Sequence, residues 1–130
     1  MIEEALRTFL VDNIADVAER VYAKGLPQNP IFPAISLFMV SDVPDHHMLG
    51  PSGLTTKRLQ ISCWDRKPEG GGYASVKALA RQVQQLLDGY HGTLSGITIK
   101  RIWLEGARDL PEPETKTDHV ALDFLITHDY

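Results

Sequence analysis

Apolar residues recur along the first part of the chain at Ile2, Leu6, Phe9, Leu10, Ile14, Val17, Ala18 and Val21, in steps of three and four. That spacing predicts an amphipathic helix from Ile2 to Tyr22, with Glu3, Glu4, Arg7, Asp16, Glu19 and Arg20 on its polar face. Asp12-Asn13 is a weak point, because both side chains compete for backbone hydrogen bonds, and a break there is expected. Prolines at 27, 30 and 33 then exclude helix and predict an extended connector. From Ala34 to Ser41 the period drops to two. Ile35, Leu37 and Met39 face one way, and Ser36, Phe38 and Val40 the other. Both faces of that strand are largely apolar, so a partner is expected on each.

The next stretch, D-V-P-D-H-H-M-L-G-P-S-G-L, is rich in proline and glycine and reads as a long loop projecting between two strands. Thr55 to Asp65 is a half-buried strand in which Leu59, Ile61 and Cys63 alternate with Arg58, Gln60, Ser62 and Trp64. After a glycine turn, a second helix runs from Tyr73 to Tyr90 on the stripe Val76, Leu79, Ala80, Val83, Leu86, Leu87. Gly96 to Leu104 is a third strand, with Ile97, Ile99 and Trp103 on one face and Ile102 and Leu104 on the other. Gly106 to Thr117 is an acidic, proline-bearing loop, and His119 to His128 is the last strand. Strand pairs joined by loops rather than helices form hairpins. The expectation is an α+β fold: a four-stranded, mainly antiparallel sheet with two helices packed on one face, in the order α-β-β-α-β-β.

Composition narrows the function more than the fold. The 130 residues predict a single domain with an ordinary apolar fraction of 43%. A lone cysteine, Cys63, excludes an internal disulfide and fits a reducing compartment. The acidic start M-I-E-E does not match a secretory signal, and no apolar run reaches membrane-span length. These features predict a cytoplasmic protein with no membrane partner. A net charge of −4 argues against tight binding to nucleic-acid phosphates.

No convergent catalytic set emerges. Asp42, Asp45, His46 and His47 bring ligand-type atoms together in sequence, but neighbouring side chains on an extended segment point apart. The three or four ligands of a zinc site are not spaced to converge. R-K-P-E-G-G-G-Y-A-S lacks the spacing of either glycine-rich nucleotide motif. Cys63 alternates with core positions, so it reads as a packing residue. The expectation is no catalytic residue, no metal and no cofactor. What stands out is spare apolar surface and two long loops, which mark contact surfaces. The candidate interface residues are Phe38, Val40, Asp45, His46, His47, Trp64, Ile102, Leu104, Arg108, Asp109, Glu112 and Glu114.

The order of these pieces resembles a known family. A first helix closes on R-V-Y, Arg20 to Tyr22, and L-P-Q-N-P-I-F-P leads into an apolar strand. L-Q-I-S-C-W-D, the helix A-S-V-K-A-L-A-R-Q-V-Q-Q-L-L-D-G and a closing H-V-A-L-D-F-L-I-T follow. Over nearly its full length the chain resembles the tail-completion proteins, or tail terminators, of long-tailed bacteriophages and prophages. The resemblance implies a non-enzymatic virion tail part, assembled in the host bacterial cytoplasm. It implies a homo-oligomer, a hexameric ring, that caps the major tail tube protein and meets the head connector or stopper protein. DNA would pass through its lumen without specific binding. A different reading stays open at this level: a small α+β ligand- or metal-binding enzyme domain using His46, His47 or His119. Deleting Asp45 to Pro51 is expected to spare the fold and weaken assembly.

Overall fold

The computed structural model describes residues 2–14, 20–22, 34–47, 50–66, 73–109 and 117–129, with 41–47, 50–54 and 66 described in backbone alone. Its elements are α1 (Ile2–Asn13), β1 (Val21–Tyr22), β2 (Ala34–His47), β3 (Gly50–Arg66), α2 (Tyr73–Leu87), β4 (Gly92–Leu94), β5 (Ile97–Asp109) and β6 (Thr117–Asp129). The sheet has six strands in the order β1-β2-β3-β6-β5-β4. It is mixed, because β1 runs parallel to β2. The expected four-stranded sheet in the order α-β-β-α-β-β is therefore wrong.

Two short strands account for the difference. Val21 and Tyr22 continue the period of the first helix, and for that reason the pattern places them in it. The chain leaves the helix at Asn13, at the expected weak point Asp12-Asn13, where the Asn13 side chain turns back to donate to the Phe9 carbonyl at 2.8 Å. Val21 and Tyr22 then pair with Ile35 and Ser36. Arg7 Nε donates to the Val21 carbonyl at 2.7 Å, fastening β1 to α1. At the other margin, Gly92–Leu94 is too short to show an alternating pattern. It is held by a hairpin to β5 whose two turn residues, Ser95 (φ 49°) and Gly96 (φ 82°), both take positive φ. That is the geometry a tight two-residue hairpin requires.

The expected histidine-bearing loop is a β-hairpin. Asp42↔Lys57, Val43↔Thr56, Pro44↔Thr55, His46↔Pro51 and His47↔Gly50 extend the β2–β3 ladder, with register shifts after Met39 and after Pro44. Proline is tolerated on a strand with an open edge, where its missing N–H costs no ladder bond. Among the described residues, only the two-residue β1 pairs on the outer side of β2. The third predicted strand likewise runs on past Leu104 to Asp109.

One core sits between the sheet and the helices. Ile2, Leu6, Leu10 and Ile14 from the first helical segment meet Val76, Leu79, Val83 and Leu87 of α2 and the inward residues of the strands. Those inward residues include Ile35, Leu37, Leu59, Ile61, Cys63, Leu122, Phe124 and Ile126. On β5 the expected facing is partly reversed. A register shift between Ile99 and Arg101 sets Ile99 opposite His128 and Ile102 opposite Ile126. A bulge of one residue flips every later side chain. Ile102 is thus fully buried and Leu104 packs against the core, so neither offers the outward apolar surface expected of them. Trp103 turns outward instead, opposite Leu125.

Candidate assembly surfaces

The sheet face away from the core cluster is where the unexplained side chains gather. Along β2, Phe38 is 60% and Val40 47% exposed; Phe38 follows the fully buried Leu37, and the partly buried Met39 lies between the two. Their exposure follows from strand alternation: Leu37 occupies the core, so Phe38 cannot. Beside them on β3 and β6 the face is stitched by polar contacts. Trp64 Nε1 donates to Ser36 Oγ at 3.0 Å, and the indole stacks on the His119 ring at 3.7 Å with an interplanar angle of 14°. Trp64, expected as a contact residue, is therefore half-buried and engaged within its own chain. Burial, with a smaller push from the Arg108 charge, lowers His119 to about 4, so its ring is neutral at pH 7.

Further along this face, Arg58 pairs with Glu105 and Arg108 with Asp123. The Arg101 guanidinium lies 4.0 Å from the Trp103 ring centre. None of these charged contacts was legible in sequence, because each depends on the β5 register shift or on strand order. The basic pair Lys100-Arg101 beside Trp103 was the one available signal. Exposed ion pairs of this kind add little stability, about 0–1 kcal/mol each. Among the described residues of this face, Phe38 and Val40 are the large apolar side chains left exposed, while Trp103 and Leu125 are half-buried.

The molecule has two distinct ends. At one, Gly50 and Pro51 pair with β2 but not with β6, since the β3–β6 ladder starts at Leu54↔Asp129. The β2–β3 hairpin therefore stands beyond the sheet as a two-stranded arm, and Asp45, His46 and His47 lie on it. Their side chains fall outside the described set. At the opposite end, β5 finishes at Asp109 beside Val120, and β6 begins at Thr117 opposite Arg66. Asp109 accepts a hydrogen bond from Tyr73 Oη at 2.9 Å and a contact from Lys77 Nζ at 3.2 Å. The Tyr73 bond, then the Lys77 ammonium, hold its carboxyl below the usual range. Glu112 and Glu114 lie outside the described residues.

The histidines whose side chains are described do not converge. His119 and His128 sit at opposite ends of β6. No group of three or more His, Cys, Asp or Glu side chains among the described residues has the geometry of a metal site. Cys63 is fully buried and its thiol is pushed up to about 12, which makes it a packing residue. No helix among the described residues is long and apolar enough to cross a membrane.

Among the described residues the chain is a strand-dominated sheet backed by two helices, with a projecting hairpin arm and an exposed apolar pair, Phe38 and Val40. The family model described as "Tail completion protein gp17" matches residues 4–129. The chain accordingly belongs to the tail-completion proteins of long-tailed bacteriophages and prophages, virion structural proteins that act in tail assembly. Among solved structures it is similar to a chain described as "Virion of native gene transfer agent (GTA) particle", with a TM-score of 0.72 and 20% identity. That alignment covers 99% of this chain and 92% of the other, and the likeness is one of fold. No curated protein matches the chain.

Proposed function

We propose that this chain forms a homo-oligomeric ring, a hexamer, that caps the tail tube at its head-proximal end. The ring stops tube growth and joins the tail to the head connector or stopper. It assembles in the host cytoplasm, performs no catalysis, uses no metal or cofactor, and lets DNA through its lumen without specific binding. The observation that carries this reading is the uncovered Phe38–Val40 corner in a member of the tail-completion family. Large exposed apolar side chains side by side on a small protein favour a protein partner. Two further features support it. The hairpin arm and the Asp109 end lie at opposite poles, which suits a part with the tube on one side and the connector on the other. The net charge of −4 suits a conduit that must not hold phosphate. In this reading Phe38 and Val40 face a neighbouring subunit. Arg108 and Asp109, at the end of β5, face a neighbouring subunit as well, and Asp45, His46 and His47 on the arm face an axial partner; Glu112 and Glu114, outside the described residues, are assigned to the other axial partner.

Size-exclusion chromatography with light scattering, with and without the major tail tube protein, tests the proposal. A ring mass in either condition is expected. A strict monomer in both, with no tube binding, would overturn it. Deleting Asp45 to Pro51 is expected to leave circular dichroism unchanged and to abolish co-elution with one axial partner, because most of these residues pair only within the arm. Loss of the fold itself would show that the arm is part of the core.

A further inference from the structure

Among the described residues, both margins of the sheet are only partly paired. On β2, β1 covers Ile35 and Ser36 alone. The Ile35 N–H donates to the Arg20 carbonyl at 3.0 Å, so Leu37 and Met39, two and four residues on, turn their backbone groups to that same side. No strand among the described residues pairs with them there. On β5, the three-residue β4 covers Ile97–Ile99. The turn after α2 then covers Ile102 and Leu104: Gly89 N–H donates to the Ile102 carbonyl at 2.7 Å, Ile102 N–H to the Tyr90 carbonyl at 3.0 Å, and Leu104 N–H to Asp88 Oδ1 at 2.9 Å. Beyond Leu104, from Gly106 to Asp109, no strand of the described residues lies on that side.

We propose that neighbouring copies join through these two margins: the β2 edge at Leu37–Val40 pairs, antiparallel, with the β5 edge at Gly106–Asp109 of the next copy. The inference rests on the ring reading above and specifies its subunit contact. Direction supports it. β2 is antiparallel to β3, β3 to β6 and β6 to β5, so β5 runs antiparallel to β2 within one chain. A second copy set beside the first in the same orientation brings β5 against β2 as an antiparallel pair.

The pairing would also cover Phe38 and Val40, the exposed large apolar side chains of β2. Because the two edges lie on different margins of one sheet, the contact is heterologous, and repetition by rotation closes a ring.

The test uses the full chain. Phe38→Asp combined with Val40→Asp is expected to shift the light-scattering mass from oligomer to monomer while the melting curve stays cooperative. For a pairing-specific readout, Phe38→Cys and Arg108→Cys are prepared separately, mixed and oxidised. Both positions lie on the outward face of their strands, and buried Cys63 stays silent. A disulfide-linked dimer is expected from the mixture and not from either variant alone. Linkage of Phe38→Cys to itself, or none in the mixture, overturns the proposal, as does an oligomer that survives both aspartates. If the oligomer forms but ignores these changes, this contact falls and the ring reading stands. A chain that is monomeric under every condition removes both.

Discussion

His119 makes the stability of this protein depend on pH in a way that can be worked out from the structure. Its ring is buried against Trp64 and lowered from 6.5 to about 4. In the unfolded chain it titrates near its ordinary value. Between about pH 6.5 and pH 4 the unfolded state therefore binds a proton that the folded state refuses, and falling pH favours unfolding. The contribution is whole above about 6.5, declines through the window and is spent below about 4. At about 1.4 kcal/mol per pH unit the full loss is about 3 kcal/mol. That is a large part of a domain stability of about 5–15 kcal/mol. Replacing His119 with Phe keeps an aromatic ring to stack on Trp64 and removes the titration. Urea unfolding of both proteins, followed by circular dichroism at half-unit steps of pH, isolates the effect. Carboxylates titrate in both proteins and cancel in the difference. The H119F protein is expected to gain about 3 kcal/mol on wild type as pH falls across the window. Stability curves that stay parallel from neutral pH to pH 4 would refute the argument, because they would mean that the folded protein accepts the proton as readily as the unfolded chain.

Two other outcomes follow from the core. Phe124 is fully buried on β6, between Leu59 of β3 and Leu104 of β5, so Phe124→Ala is expected to cost about 3–5 kcal/mol. The drop in thermal midpoint of about 10–20 °C is measurable by calorimetry. Cys63, with its thiol pushed up to about 12 and no exposure, is expected to resist a thiol-reactive disulfide reagent near pH 8 in the native state and to react promptly in denaturant. Rapid native labelling would show that the strands around it open.

Much of the framework was legible because it is local. The stripe Val76, Leu79, Ala80, Val83, Leu87 returned as the buried face of α2, and the alternation Leu59, Ile61, Cys63 as the inward face of β3. Phe38 and Val40 were picked out as outward on the same grounds. The failures share a cause. β1 and β4 are two and three residues long, too short to show a period; β1 exists through Ile35 and Ser36, fourteen residues on, and β4 through its tight hairpin to β5. Pro44, Pro51 and Gly50 carry every local mark of a loop, yet Pro44 pairs with Thr55, His46 with Pro51 and His47 with Gly50, because the rest of the hairpin draws them into register. Ile102 and Leu104 were assigned to the wrong face because a bulge is invisible to a two-residue period.

Sequence alone determined which residues leave water and at what period, since burial of apolar side chains follows one helix or one strand at a time. It also determined the absence of a closely spaced ligand set, the acidic balance and the whole-length likeness to tail-completion proteins. Only the tertiary structure decided how many strands share the sheet, which face Trp103 takes, and that Trp64 is occupied by His119 while Phe38 is left uncovered. Those outcomes depend on register and strand order. Both are settled by hydrogen bonds between residues far apart in the chain, and no local pattern encodes them.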